Sequence, residues 1–216
     1  MRVSHRYRFV FLSKYKCASD AVRAALDPFS DIVSTQHYPW YHHTPLAPLK
    51  AEFELRGYDW SSYFIFTTVR NPYTMLNSLY AYGMPARDGS MWWDRLWDDV
   101  VNDRQLPVER RIPSDPAPFR EWVLEHDFTR FTLDPFVRDE TGRGCTDAIL
   151  RVENLEDDFR LIAEKLRLSP LPQLSLTNTT TYLPEAFDKR MAARVREVFR
   201  TDFELGGYPC DPPQRL

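Results

Sequence analysis

Three short segments carry the residues able to do chemistry. Lys14-Tyr15-Lys16-Cys17-Ala18-Ser19-Asp20-Ala21 sets lysines and small residues between a predicted strand and a predicted helix. A turn of this kind lets backbone N–H groups close on an anion, and the helix N-terminus adds partial positive charge. Lys16 is placed to neutralise a phosphate or to stabilise a leaving group. The GxxxxGK[ST] phosphate loop is absent, and Lys16 precedes the helix. In the second segment, Val69-Arg70-Asn71-Pro72-Tyr73, Arg70 stands where another predicted strand ends, with Ser78 two helical turns beyond. Guanidinium donors suit phosphate, and open parallel sheets bind ligands at strand ends. The third is His42-His43 ahead of Thr44-Pro45-Leu46. Imidazole, with an ordinary pKa of about 6.5, takes an alcohol proton at neutral pH. His43 is the preferred base because it adjoins the helix start, with His42 the alternative and His37 in reserve. His5 and His126 read as structural or solvent-exposed.

These residues need elements to hold them. Tyr7–Ser13 and Tyr63–Val69 are aromatic and β-branched runs that predict buried strands. Asp31–Thr35 and Ala148–Val152 predict two more. Helical spacing falls on Ser19–Leu26, Pro45–Arg56, Tyr73–Tyr82, Met91–Val101, Phe119–His126, Asn154–Leu166 and Pro184–Phe203. Asn154 is the expected N-cap of its helix. Leu106–Pro118, rich in proline, predicts an exposed loop. Strands alternating with helices predict an α/β fold with a parallel sheet, and residues 83–135 read as a helical insertion.

Composition narrows the classes. The 216 residues fit one domain, 1–216, and a hydrophobic fraction of 43% with 27% charged residues supplies a packed core. A net charge of -3 argues against gripping nucleic acid by global charge. No apolar run approaches the ~20 residues of a membrane span. The three cysteines lack CxxC spacing, which points to a reducing, cytoplasmic setting and no structural zinc.

Taken together, KCAS at the first strand–helix turn and VRNPY with a serine eight residues after the arginine resemble the sulfotransferases that use 3′-phosphoadenosine 5′-phosphosulfate (PAPS). The likeness is to the carbohydrate branch, which includes heparan sulfate 2-O-sulfotransferases and bacterial relatives. His42-His43-Thr44-Pro45-Leu46, Ile149-Leu150-Arg151-Val152-Glu153-Asn154-Leu155 with Asp158-Phe159, Asp202-Phe203-Glu204 and Gly207-Tyr208 extend it. The resemblance covers about 7–35, 41–82 and 147–208 and leaves the middle unmatched. It implies a P-loop-NTPase-like central parallel sheet flanked by helices, and transfer of sulfonate from PAPS to an acceptor hydroxyl on a saccharide or small metabolite. It implies that Lys16 and the N–H groups of Cys17, Ala18, Ser19, Asp20 and Ala21 hold the donor's 5′-phosphate, and that Arg70 and Ser78 hold the 3′-phosphate. Lys16 and His43 would be catalytic, and no metal is required. The polar run Thr177–Thr181 would close over the nucleotide.

The chain departs from the family's pattern at Tyr15, where proline is common, and at Asp20 and Ala21, where threonine or serine is common. Arg23 lies within i,i+3 reach of Asp20. Two rival readings follow: a nucleotide-binding homologue without activity, and a nucleotide-dependent kinase. Elsewhere, Glu153 reads as half of a buried Arg151–Glu153 pair, with orientation of an active-site group as the alternative. Trp92, Trp93 and Trp97 read as core rather than as a sugar-binding wall. Arg110 and Arg111 read as solvated loop charges.

Overall fold

The fold was obtained as a computed structural model, which describes residues 1–35, 37–96, 106–175 and 185–213. Five strands, β1 (Arg2–Ser4), β2 (Phe9–Leu12), β3 (Ile32–Val33), β4 (Phe64–Val69) and β5 (Ala148–Arg151), form one sheet in the order β3-β1-β2-β4-β5. β2, β4 and β5 run parallel, with Phe11 opposite Phe66 and Thr67 opposite Ile149. The expected parallel sheet is thus its central part only. β1, which the sequence reading missed, pairs antiparallel with both β2 and β3, so the sheet is mixed. Its three residues are too few for an alternation to register.

Ten α-helices accompany the strands among the described residues: α1 (Ser19–Leu26), α2 (Leu46–Leu55), α3 (Pro72–Gly83), α4 (Trp92–Arg95), α5 (Val108–Arg111), α6 (Phe119–Glu125), α7 (Asp134–Val137), α8 (Leu155–Lys165), α9 (Lys189–Val198) and α10 (Arg200–Gly206). The pleat sends alternate strand residues to opposite faces. Val10, Leu12 and Ile65 meet Leu46, Leu49 and Phe53 of α2 on one face. Phe9, Phe11 and Phe66 meet Val22 and Leu26 of α1 and Phe159 of α8 on the other. Every residue of β2 is fully buried, as expected of a strand covered on both faces. A third cluster joins α3, α6, α9 and α10 beside the sheet.

Several expectations change. The predicted helix at 184–203 is two helices, interrupted at Phe199, whose fully buried ring packs on Phe128. Of Met91–Val101 only Trp92–Arg95 is described as helix, and Trp97 lies outside the described residues. Leu106–Pro118 is not wholly loop, since it contains α5. Asn154 precedes α8 without capping it; its Nδ2 donates to Asp158 Oδ1 at 2.7 Å. Trp92 is buried under the Arg111 guanidinium, 4.8 Å from its ring centre, so both are structural.

Candidate active site

The loops leaving the C-terminal ends of β2, β4 and β5 open on the same edge of the sheet, because those strands are parallel and adjacent. Lys16, Arg70 and Glu153 stand on these three loops.

After β2 the chain turns through residues 13–18 into α1. Lys16 and Ala18 both take left-handed backbone angles, φ +55° and +54°. For residues with a Cβ this costs about 1–2 kcal/mol each and persists only where surrounding structure imposes it. Left-handed residues alternating with right-handed ones turn successive N–H groups inward, which makes an anion-binding concavity. Ala18 precedes α1 as its N-cap and offers no side-chain cap to the first-turn N–H groups. Cys17, Ser19 and Ala21 are buried. The Asp20 side chain instead points outward, half exposed, and pairs with Arg23.

The two lysines of the segment separate. Lys14 is fully buried, its Nζ 3.0 Å from Asp202 Oδ1 on α10 and 3.7 Å from the Cys17 sulfur. Burial opposes its charge, yet the Asp202 carboxylate holds Lys14 above the ordinary lysine pKa. Asp202 also accepts the Leu133 N–H at 2.8 Å. Lys14 therefore anchors the loop to the C-terminal helices. Lys16 lies over the Tyr82 ring, 3.9 Å from its centre. Burial lowers its ammonium from 10.5 to about 8, with Asp20 opposing and Arg70 reinforcing the shift.

After β4, Asn71 caps α3 by accepting the Tyr73 N–H at 3.0 Å, and Pro72 takes the first helical position. Arg70 Nε donates to Thr74 Oγ1 at 3.0 Å, and Nη1 lies 3.4 Å from the Lys16 carbonyl. The second contact joins the two candidate anion-binding segments directly. Ser78 is buried on α3, one turn past Thr74 on the same helical face. Thr74 was missed in the sequence, although its i+4 spacing from Arg70 marks it.

Glu153 follows β5. It accepts the Asn71 N–H at 3.0 Å and the Tyr208 hydroxyl at 2.5 Å, fixing the turn that carries Arg70. Arg151 and Glu153 are exposed, which corrects the buried pair; Arg151 lies 4.0 Å from Asp158 instead. Glu153 orients the Arg70 turn because it reaches sideways to α3 rather than back along its own strand.

His43 reaches the loop from the other side. Its Nδ1 lies 2.7 Å from the Ser13 carbonyl and must donate there, which leaves Nε2 as the basic nitrogen. Burial, then the nearby Arg23 charge, lower its pKa well below 6.5, so the ring is neutral at physiological pH. His42 has its Nδ1 on Ser34 Oγ and is lowered to about 4 by burial and Arg23. His37 is exposed in a turn. His5 bonds the Tyr63 hydroxyl at 2.6 Å, a structural role. Thr177–Thr181 lies outside the described residues.

The arrangement sets two cations at a turn whose left-handed residues can cradle an anion, and His43, a neutral imidazole with a defined tautomer, meets the same segment at the Ser13 carbonyl. It suits displacement at a phosphate-linked centre with a proton removed from the attacking oxygen. Set against known proteins, the chain matches no family model, and no curated protein and no solved structure matches it.

Proposed function

We propose that the chain is a PAPS-dependent sulfotransferase with a P-loop-NTPase-like core, acting on an acceptor hydroxyl in a cytoplasmic setting. The observation that carries this reading is the Arg70 guanidinium against the carbonyl of Lys16, inside a loop with two left-handed residues that are not glycine. A cradle and a second cation side by side fit a nucleotide carrying phosphates at both the 5′ and 3′ positions. Free cysteines at 17, 145 and 210 agree with a reducing compartment. No helix among the described residues is long and apolar enough to cross a membrane.

In this reading His43 Nε2 receives the proton of the acceptor hydroxyl. The acceptor oxygen bonds to sulfur as the bond from sulfur to the 5′-phosphate oxygen breaks, and that oxygen keeps the electron pair. Lys16 and the loop N–H groups stabilise the charge it gains. Positioning and electrostatics supply most of the rate, as in phosphoryl transfer. Removing the base by His43→Ala lowers turnover about 10²–10⁴-fold.

The test is calorimetric titration with 3′-phosphoadenosine 5′-phosphate beside AMP and ATP. Tight binding that needs the 3′-phosphate and disappears in Arg70→Ala is the expected result. Equal binding of AMP, or no binding, overturns the donor assignment. Asp20 in the first turn of α1 favours a second reading, a nucleotide-binding protein without activity. In that case the bisphosphate binds, but no acceptor is turned over and His43→Ala changes nothing measurable.

A further inference from the structure

Beyond the donor loop, His43 also borders a cleft of about 640 Å3 that contains neither Lys16 nor Arg70. Its size falls within the about 300–1,000 Å3 of small-molecule sites. Tyr15, Tyr38 and Tyr41 line it, together with Asp127 and Arg130 from the end of the 83–135 insertion. Tyr15 is adjacent to Lys16 in the chain, so one residue step separates the cleft from the candidate donor loop. Tyr38 remains 69% exposed, which leaves an aromatic face open to an incoming ring.

The charges of the cleft differ from those of the loop. Among the described residues Arg130 is the permanently charged cation of the lining, and it is already held by Asp94, with Nη2 to Oδ2 at 2.9 Å and Nη1 to Oδ1 at 3.3 Å. Asp127 brings a carboxylate to the lining, while Asp94 holds Arg130 from outside it. His43 and His126, the two histidines of the lining, are both held neutral by burial and by nearby arginine charge. An anion entering the cleft meets the Asp127 carboxylate and an arginine already engaged by Asp94, while aromatic faces attract the apolar face of a ring.

Resting on the sulfotransferase reading, we propose that this cleft is the acceptor site and that it selects an uncharged, ring-bearing alcohol over an anionic one. Tyr38 and Tyr41 pack on the ring, and the hydroxyl meets His43 Nε2. Asp94 is a specificity-determining residue, because it occupies the guanidinium that would otherwise take a carboxylate.

The test uses a matched pair of probes, 4-nitrophenyl β-D-glucopyranoside and the corresponding glucuronide, which differ by a hydroxymethyl and a carboxylate group. Saturation-transfer NMR should show the glucoside bound about tenfold more tightly. Tyr41→Ala and the more exposed Tyr38→Ala should each weaken it. Asp94→Asn should bring the glucuronide in, a gain that loss of fold cannot imitate. Preference for the glucuronide in the unaltered protein, or glucoside binding untouched by both tyrosine variants, overturns the inference. Bisphosphate binding is measured on the same samples. Its absence sinks the donor assignment, whereas its presence with the glucuronide preferred sinks the acceptor inference alone.

Discussion

The Tyr15 ring lies against the imidazole of His43, with centroids 3.8 Å apart and planes 25° from parallel. Phe131 meets the Tyr15 ring edge-on at 5.1 Å. Tyr15, which stands where the sulfotransferase pattern commonly has proline, thus supports the candidate base. The stack and the Nδ1 contact to the Ser13 carbonyl restrain the ring in two directions. Burial keeps it neutral.

The His43 imidazole should therefore stay unprotonated throughout the pH range where a solvent-exposed histidine titrates. Its folded pKa lies well below 6.5, as does that of His42 at about 4. The unfolded chain binds these protons first on acidification, so both groups make stability fall as pH drops below about 6.5. Ring-carbon NMR titration checks the first statement and thermal melts from pH 7 to 5 the second. A His43 titration at or above 6.5 would show that burial does not hold the ring neutral.

Lys16 sets the opposite limb. With its ammonium lowered to about 8, its charge is present below that pH and lost above it. Affinity for 3′-phosphoadenosine 5′-phosphate should fall as pH rises through about 8. Lys16→Arg, which stays charged, should move that decline upward. Calorimetry from pH 6.5 to 9.5 reads both; a flat profile in the unaltered protein would place Lys16 away from the phosphate.

The parts of this site differ in how they were written into the sequence. β2, α1, β4 and α3 are legible because each is continuous and its periodicity is local: Ser19–Leu26 is helical over the full predicted range. The i,i+3 contact between Arg23 and Asp20 is legible for the same reason. Lys14 paired with Asp202, Glu153 reaching Asn71, and Arg130 lining one cleft with His43 are not, because each partner lies on a different element far along the chain. Glu153 illustrates the limit. Its place at a strand end was visible, but its direction depends on how β5 sits beside β4.

The Lys14–Asp202 pair should be a stability determinant rather than a catalytic one. Both side chains are fully buried, so neutralising one strands the other without solvent. Asp202→Asn should cost about 3–5 kcal/mol, whereas a double Lys14→Met, Asp202→Leu change should recover much of it. Urea or thermal unfolding measures this. A single-variant loss within the ~0–1 kcal/mol of exposed pairs would mean that water reaches the cluster.

Asp20 is the residue most at odds with an anion site. It brings negative charge to the first turn of α1, where a phosphate would use the same helix field. Arg23 counters it by pairing with Asp20 through Nη2, while Arg23 Nη1 is buried without a partner among the described residues. Asp20→Ser removes the carboxylate, returns a hydroxyl donor and releases the whole guanidinium toward the loop. Affinity for 3′-phosphoadenosine 5′-phosphate should rise about two- to fivefold, the range expected of one charge in a helix's first turn. The gain should shrink in high salt, because the Asp20 side chain is half exposed. Arg23→Ala should act in the opposite direction by leaving Asp20 uncompensated. Weaker binding in Asp20→Ser would show that the carboxylate helps the loop, and that the Asp20–Arg23 pair is part of the cradle rather than a compensation for it.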